Sequence, residues 1–154
     1  MANTSISNSF HLRWNNHLSN LRTLLEYLYN EQSFVDVTLS CSDGFLRAHK
    51  LVLSACSPYF DTIFRENPCK HPTVILKGIT LREMQLIIEY MYVGSVDIPE
   101  NELSTMLEIA NELHIKGLVQ DAGHEERVLV NKSESPDVSP KQMDQNIKVP
   151  LSSC

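Results

Sequence analysis

The stretch that decides the fold runs from Val35 to Phe64 and reads VDVTLSCSDGFLRAHKLVLSACSPYFDTIF. Apolar and polar side chains alternate over residues 35–40, which predicts a strand with one buried face. Asp43 and Gly44 form a pair that tolerates positive φ, so residues 45–47 are expected to return as the second arm of a hairpin.

Two short helices are predicted directly after this hairpin. Leu51, Val52 and Leu53 form a compact apolar cluster in the first. Ser57 and Pro58 predict the start of the second, because serine is a favoured N-cap and proline has no N–H to leave unpaired at the first helical position.

The flanking sequence predicts further elements on both sides. Phe10, Leu12 and Trp14 alternate with polar residues and indicate a short edge strand. Leucines at helical spacing indicate an amphipathic helix over residues 17–30. On the C-terminal side we expect a strand over residues 73–76, a helix that a Thr80–Glu83 capping box opens and Gly94 ends, and a last helix over residues 102–113.

Composition restricts the class of protein. The chain has 154 residues, of which 42% are hydrophobic, enough for one domain with a core and a tail. The formal net charge of -6 argues against direct contact of this chain with nucleic acid, because phosphate binding requires clustered Lys and Arg. We find no signal peptide and no apolar run long enough to cross a membrane, so no membrane partner is expected.

The sequence shows no catalytic or cofactor-binding pattern. Ser54, His49 and Asp61 are the residue types of a hydrolase triad, but the serine has no G-x-S-x-G setting, and His49 is expected to be a buried, hydrogen-bonded turn residue. The four cysteines form no CxxC pair and no Cys–His spacing typical of zinc. The five glycines are scattered, which excludes a phosphate-binding loop. We therefore expect no enzyme activity, no cofactor and no metal.

The segment above resembles the BTB domain, also called POZ, a protein-interaction module. The similarity includes the flanking residues Phe34 and Leu76. Further motifs resemble the insect tramtrack-type subgroup, which occurs in nuclear transcription regulators: FHLRWNN at 10–16, KHP at 70–72, YMYVGSV at 90–96 and LHIKGL at 113–118. The resemblance covers residues 10 to about 119.

This resemblance implies an α+β fold with a small mixed sheet flanked by helical hairpins. It divides the chain into a flexible leader (1–9), the BTB/POZ domain (10–120) and a polar tail (121–154), which its composition predicts to be disordered. It also implies a homodimer in which the N-terminal strand of one chain joins a sheet of the other. The expected dimer or oligomer interface contains Phe10, Leu12, Trp14, Leu18, Leu21 and Leu25, while about half of the leucine stripe of residues 17–30 is expected to belong to the core.

Asp36 and Lys50 are charged residues bounded by apolar sequence, and two interpretations of them stay open. They could form a structural ion pair, in which mutual attraction offsets desolvation. The resemblance instead implies that they lie near a charged groove at the dimer centre, where a corepressor could bind.

The resemblance favours a homo-oligomerising module of a nuclear transcription regulator that recruits cofactors, with itself, other BTB proteins and corepressors as partners. A substrate adaptor of a cullin-3 ubiquitin ligase is the alternative, since Phe64-Arg65-Glu66 superficially matches the motif of such adaptors. A third possibility is a dominant-negative or isoform role, since the chain carries no recognisable DNA-binding motif.

Overall fold

The structure is a computed structural model and describes residues 8–119 of the 154-residue chain. Five helices and three strands follow one another in this part of the chain: α1 (His17–Asn30), β1 (Val37–Ser40), β2 (Phe45–Ala48), α2 (Lys50–Cys56), α3 (Pro58–Glu66), β3 (Thr73–Ile75), α4 (Leu81–Val93) and α5 (Glu100–Glu112). The predicted α+β class is confirmed. The polar tail and most of the leader lie outside the described residues.

The three strands form a mixed sheet in the order β2-β1-β3. β1 pairs antiparallel with β2, Leu39 lying opposite Leu46, and parallel with β3, Leu39 lying opposite Val74. β1 and β2 alternate between buried and more exposed side chains, as predicted for strands with one face in the core.

The β1–β2 turn closes through the N–H of Cys41, which donates to the carbonyl of Gly44 at 2.7 Å. Neither Asp43 nor Gly44 has positive φ, so the prediction of a positive-φ turn at this pair is wrong. Gly44 instead packs closely against α4, because a Cβ there would lie 3.0 Å from Cδ2 of Leu81, so the tip of that side chain would have to shift to admit another residue. Asp43 accepts the backbone N–H of Leu81 at 2.6 Å and so ties the turn to the first residue of α4.

The predicted helix termini are largely confirmed. Ser57 accepts the N–H of Phe60 as the N-cap of α3, with Pro58 at the first helical position. Thr80 and Glu83 form the reciprocal capping box of α4, and Gly94 ends that helix in the left-handed conformation.

α5 begins at Glu100, two residues before the predicted start. Its first turn carries Glu100 and Glu102, whose negative charge is favourable at a helix N-terminus.

The core lies between the sheet and the helices, where α2 packs against α3 and α4 packs against α5. Its largest fully buried side chains come from the sheet and from α2 to α5, and from the segments that follow β3 and α5: Phe60, Leu39, Leu53, Leu76, Met84, Ile87, Ile88, Met106, Leu113, Ile115, Val37 and Val74. α1 contributes no buried residue to this core.

Residues 8–14 form neither helix nor strand in the single chain, although the sequence predicts a strand from Phe10. A strand needs a neighbour to receive its backbone hydrogen bonds, and no strand of residues 8–119 pairs with this segment. Alternation alone therefore does not place it in a sheet of its own chain.

Candidate functional site

α1 presents a largely exposed apolar surface. None of its fourteen residues is buried, and Leu18 keeps 78% of its surface in solvent. Leu21 and Leu24 are exposed as well. Such a helix is typical of a surface that a partner covers, since an isolated amphipathic helix gains little from its own apolar face.

The segment before α1 extends this surface. Phe10, Leu12 and Trp14 are exposed by 86%, 91% and 61%. The Trp14 ring packs against the ring of His17, with 4.8 Å between the centroids. Asn16 then adopts φ 62° as the N-cap of α1. Together with Leu18 and Leu21, the three residues form what we call the leader–α1 surface.

Leu25 differs from the other five residues of the expected interface. Its side chain is partly buried and packs against the core cluster, as does that of Tyr29, whose ring lies 4.6 Å from the ring of Tyr92 in α4. Leu25 and Tyr29 therefore attach α1 to the domain. The leucine stripe thus has two parts, one towards the core and one towards solvent.

The turn between α1 and β1 is held by His49, which is buried, as predicted, and hydrogen-bonded at both ring nitrogens. Nε2 lies 2.7 Å from the carbonyl oxygen of Ser33 and Nδ1 lies 2.6 Å from the hydroxyl of Tyr92. A carbonyl can only accept, so Nε2 carries the proton and Nδ1 accepts from Tyr92. The Tyr92 oxygen in turn accepts the backbone N–H of His49 at 3.0 Å.

This contact fixes a strained turn. Gln32 and Phe34, on either side of Ser33, have φ values of 53° and 59°, in the left-handed region that residues other than glycine rarely adopt. Burial raises the pKa of Tyr92 above its usual range, so its hydroxyl remains a donor at neutral pH. His49 and Tyr92 thus hold the turn that connects α1 to β1 and so fix the orientation of α1 relative to the rest of the domain.

Asp36 and Lys50 do not form the ion pair that we considered from the sequence. A carboxylate oxygen of Asp36 accepts the backbone N–H of Lys50 at 2.7 Å, at the first residue of α2. Nζ of Lys50 donates instead to the carbonyl of Cys69 at 2.8 Å. The carboxylate satisfies a free N–H at the helix N-terminus, where negative charge is also favourable, and this explains why the two side chains separate.

Five other large apolar side chains of the described residues are exposed and were not assigned to an interface from the sequence: Phe34 (84%), Leu51 (74%), Phe45 (62%), Tyr27 (58%) and Leu24 (48%). Leu51 does not belong to the buried part of its apolar cluster, because only Val52 and Leu53 of α2 are buried. Phe45 could have been found from the sequence, since FLRA places Leu46 and Ala48 on the buried face of a strand and therefore turns Phe45 and Arg47 outward.

The candidate triad residues have separate roles. His49 is hydrogen-bonded to Tyr92 and Ser33, and Asp61 forms a 2.8 Å ion pair with Arg65 one helical turn away.

Cys41 is not a reactive thiolate. Burial, with smaller contributions from Asp43 and Glu83, raises the pKa of the Cys41 thiol to about 11, which keeps it protonated at neutral pH.

Residues 8–119 contain neither a metal-binding cluster nor a membrane-spanning helix. No group of three or more His, Cys, Asp and Glu residues in this part of the chain could hold a metal ion. Among its helices, none combines the length and the apolar character that crossing a membrane requires.

The α+β fold and the exposed apolar surface of α1 are typical of a protein-interaction module. The BTB/POZ domain family matches residues 24–127. The chain belongs to the BTB/POZ domain family.

Similar proteins of Drosophila melanogaster include the tramtrack alpha isoform, 46% identical over 114 residues, which cover 74% of this chain and 14% of that protein. Bric-a-brac 2 is 43% identical over 111 residues, 72% of this chain and 10% of that protein. A longitudinals lacking protein-like protein is 44% identical over 116 residues, which cover 75% of this chain and 91% of that protein. The chain thus matches a small part of the first two relatives and most of the third.

Two solved structures share the fold. The BTB domain of zebrafish PATZ1 superposes with a TM-score of 0.63 at 22% identity, covering 71% of this chain and 91% of that one. The BTB domain of human Gigaxonin superposes with a TM-score of 0.61 at 24% identity, covering 72% and 92%. The predicted small mixed sheet between helices is therefore the BTB arrangement.

Proposed function

We propose that this chain homo-oligomerises through the leader–α1 surface and so links copies of a nuclear transcription regulator, to which it recruits cofactors. The observation that carries the proposal is α1, a fourteen-residue helix without one buried residue that carries exposed leucines. The tramtrack-type similarity supports the nuclear setting.

The exposed side chains supply a driving force for association. Full burial of one large apolar side chain contributes about 1.5–3 kcal/mol relative to leaving it in water. Phe10, Leu12, Trp14 and Leu18 are each at least 61% exposed in the single chain. A second copy that covers them recovers much of this free energy. The strand-like alternation of the leader favours a swap, because a strand that joins a sheet of the partner adds main-chain hydrogen bonds to side-chain burial.

Oligomerisation would act on transcription through multivalency. Joining chains that each recognise DNA raises the effective concentration of the second site after the first has bound, without any new base contact. In this role the chain itself makes no contact with nucleic acid.

The test of the interface uses two charges on one face of α1 and the same charges on the opposite face. Leu18→Asp with Leu21→Asp should convert the dimer or higher oligomer to a monomer that light scattering detects, because each carboxylate would have to be desolvated in the interface. Leu25 is left intact because it packs against the core.

Thr23→Asp with Asn20→Asp is the matched control, since both residues are exposed and lie on the same helix away from Leu18 and Leu21. The control should keep the wild-type mass. A well-folded double leucine variant with the wild-type mass would overturn the proposal.

Cofactor recruitment is proposed for the region of Asp36 and Lys50, where both side chains are partly exposed at the start of α2. Lys50→Glu should leave folding and oligomer mass nearly unchanged while repression by a reporter fusion is lost. Unchanged repression by the folded variant would exclude this groove. The alternative of a cullin-3 adaptor gains no support from Phe64, whose side chain packs against the core and stacks on Phe60.

A further inference from the structure

β2 is an edge strand with one open side. Its neighbour on the inner side is β1, and the sheet ends at β2. The bond from the N–H of Cys41 to Gly44 shows which backbone groups face inward, because alternate residues of an antiparallel strand bond to the same neighbour. Gly44, Leu46 and Ala48 therefore face β1, whereas the N–H and C=O groups of Phe45 and Arg47 point to the open side.

These open groups have no hydrogen-bond partner within residues 8–119. α1 does not cover them, because a cleft of about 320 Å³ lies between Tyr29 and Gln32 at the end of α1 and the residues of β2. Phe45 is 62% exposed, and Arg47 makes no ion pair within the described part of the chain, its guanidinium lying 6.0 Å from the centre of the Phe45 ring. Open edges of this kind are sites at which another strand can pair.

We propose that β2 pairs antiparallel with β2 of a second copy, centred on Leu46, and that this contact joins dimers into larger assemblies. The inference rests on the proposed dimer and adds a second contact to it. Centred on Leu46, the register places Phe45 opposite Arg47 of the other copy on both sides of the two-fold axis. Each such pair exchanges two backbone hydrogen bonds, so all open groups of Phe45 and Arg47 are satisfied.

Side-chain chemistry agrees with this register. Residues directly opposite in antiparallel strands project to the same side of the sheet, so each Arg47 would lie beside the Phe45 ring of the other copy. A cation over an aromatic ring is attractive, and the chain already uses this pair within itself. The edge is therefore complementary to its own copy and not only to strands in general.

The small size of the contact assigns it a secondary role. Two four-residue strands bury far less than the roughly 1,200 Å² of a stable interface. The contact becomes effective only when each particle carries two β2 edges, because the second contact then forms at high effective concentration. Assembly beyond the dimer should therefore depend steeply on protein concentration.

A charge-swap experiment tests both the strand and its register. Phe45→Arg would place two cations opposite each other and should shift the concentration at which the mass exceeds that of a dimer upward by about tenfold or more. Phe45→Arg combined with Arg47→Glu would place a guanidinium opposite a carboxylate on both sides of the axis and should restore assembly. Both positions are exposed, so the fold should persist, which circular dichroism checks. Sedimentation velocity over a range of concentrations measures the masses.

Each outcome decides one point. Equal concentration dependence for wild type and Phe45→Arg, or a double variant that stays a dimer, would overturn the β2 contact. Loss of the larger species on deletion of residues 1–16 while Phe45→Arg has no effect would assign the contact to the leader and likewise overturn it. If the mass of the wild-type protein never exceeds that of a dimer, only the β2 contact is rejected. If the wild-type protein is a monomer, the proposed dimer is rejected as well.

Discussion

The hydroxyl of Tyr92 lies 2.6 Å from Nδ1 of His49, and its oxygen accepts the backbone N–H of the same residue at 3.0 Å. One side chain of α4 thus satisfies two buried polar groups at the junction of β2 and α2. Through the other ring nitrogen, the contact reaches Ser33 and the turn after α1.

Tyr92→Phe should lower the free energy of unfolding by about 1–3 kcal/mol, because it leaves the N–H and Nδ1 of His49 without a partner in a buried position. Urea denaturation measures the change. Tyr59→Phe is the matched control, since the Tyr59 hydroxyl makes no hydrogen bond within residues 8–119, and it should change stability by less than about 0.5 kcal/mol. Equal effects of the two substitutions would contradict the assigned network.

Asp36→Ala should lower the free energy of unfolding by about 0.5–2 kcal/mol, which is the usual effect of removing a side chain that caps a helix N-terminus. Lys50→Met should cost less, because its Nζ loses a single bond to the carbonyl of Cys69. Since the Asp36 carboxylate bonds to the backbone of Lys50 and not to its side chain, the two effects should add within about 0.5 kcal/mol. A coupling free energy above about 1 kcal/mol in the double-mutant cycle would restore the ion pair that the sequence suggested.

Ser57→Ala should destabilise the domain by about 2 kcal/mol. The fully buried hydroxyl donates to the carbonyl of Leu113 at 2.6 Å and accepts the N–H of Phe60, so it joins the start of α3 to the end of α5. Thr80→Ala removes an equivalent cap without the second bond and should cost about 1 kcal/mol. Thermal unfolding monitored by circular dichroism compares the two, and a larger loss for Thr80→Ala would contradict this ranking.

The rate at which iodoacetamide alkylates Cys41 should increase with pH, with a midpoint near pH 11 in the folded protein and near pH 9 in the unfolded chain. The midpoint is higher in the folded protein because burial raises the pKa of the thiol to about 11. The folded state keeps its proton while the unfolded state loses it, so this group's contribution to stability is fully present below about pH 9 and is lost as the pH rises towards about 11. Peptide mapping after timed labelling gives the rate at Cys41. A rate that saturates near about pH 9 in the folded chain would contradict the raised pKa.

Local sequence predicted the elements whose causes are local. The N-terminal caps of α3 and α4 depend on residues at most three positions apart, Ser57 with Pro58 and Thr80 with Glu83. Both caps form as expected. The extent of α1 also follows from its leucine spacing. The α+β class and the BTB/POZ assignment depended on several motifs in the right order, and both are confirmed.

Relationships over long sequence distances could not be predicted in this way. Gly44 packs closely against Leu81, 37 positions further along the chain, and the partner of Asp36 is a backbone N–H that is free only because α2 begins at Lys50. Which leucines of α1 face the core depends on Tyr29 and Tyr92 meeting at 4.6 Å. The interface residues other than Leu25 are exposed in the single chain, and their role stays a prediction.

The strained turn after α1 has a consequence for the choice of partners. Gln32 and Phe34 adopt left-handed conformations, each at a cost of about 1–2 kcal/mol. The hydrogen bond from His49 to the carbonyl of Ser33 holds the turn in this conformation and leaves it few alternatives. α1 is therefore presented at a fixed angle, and association loses little conformational freedom at this joint. The same rigidity makes the leader–α1 surface selective. A partner that fits only another tilt of α1 could bind only after the hydrogen bond between His49 and Ser33 had broken.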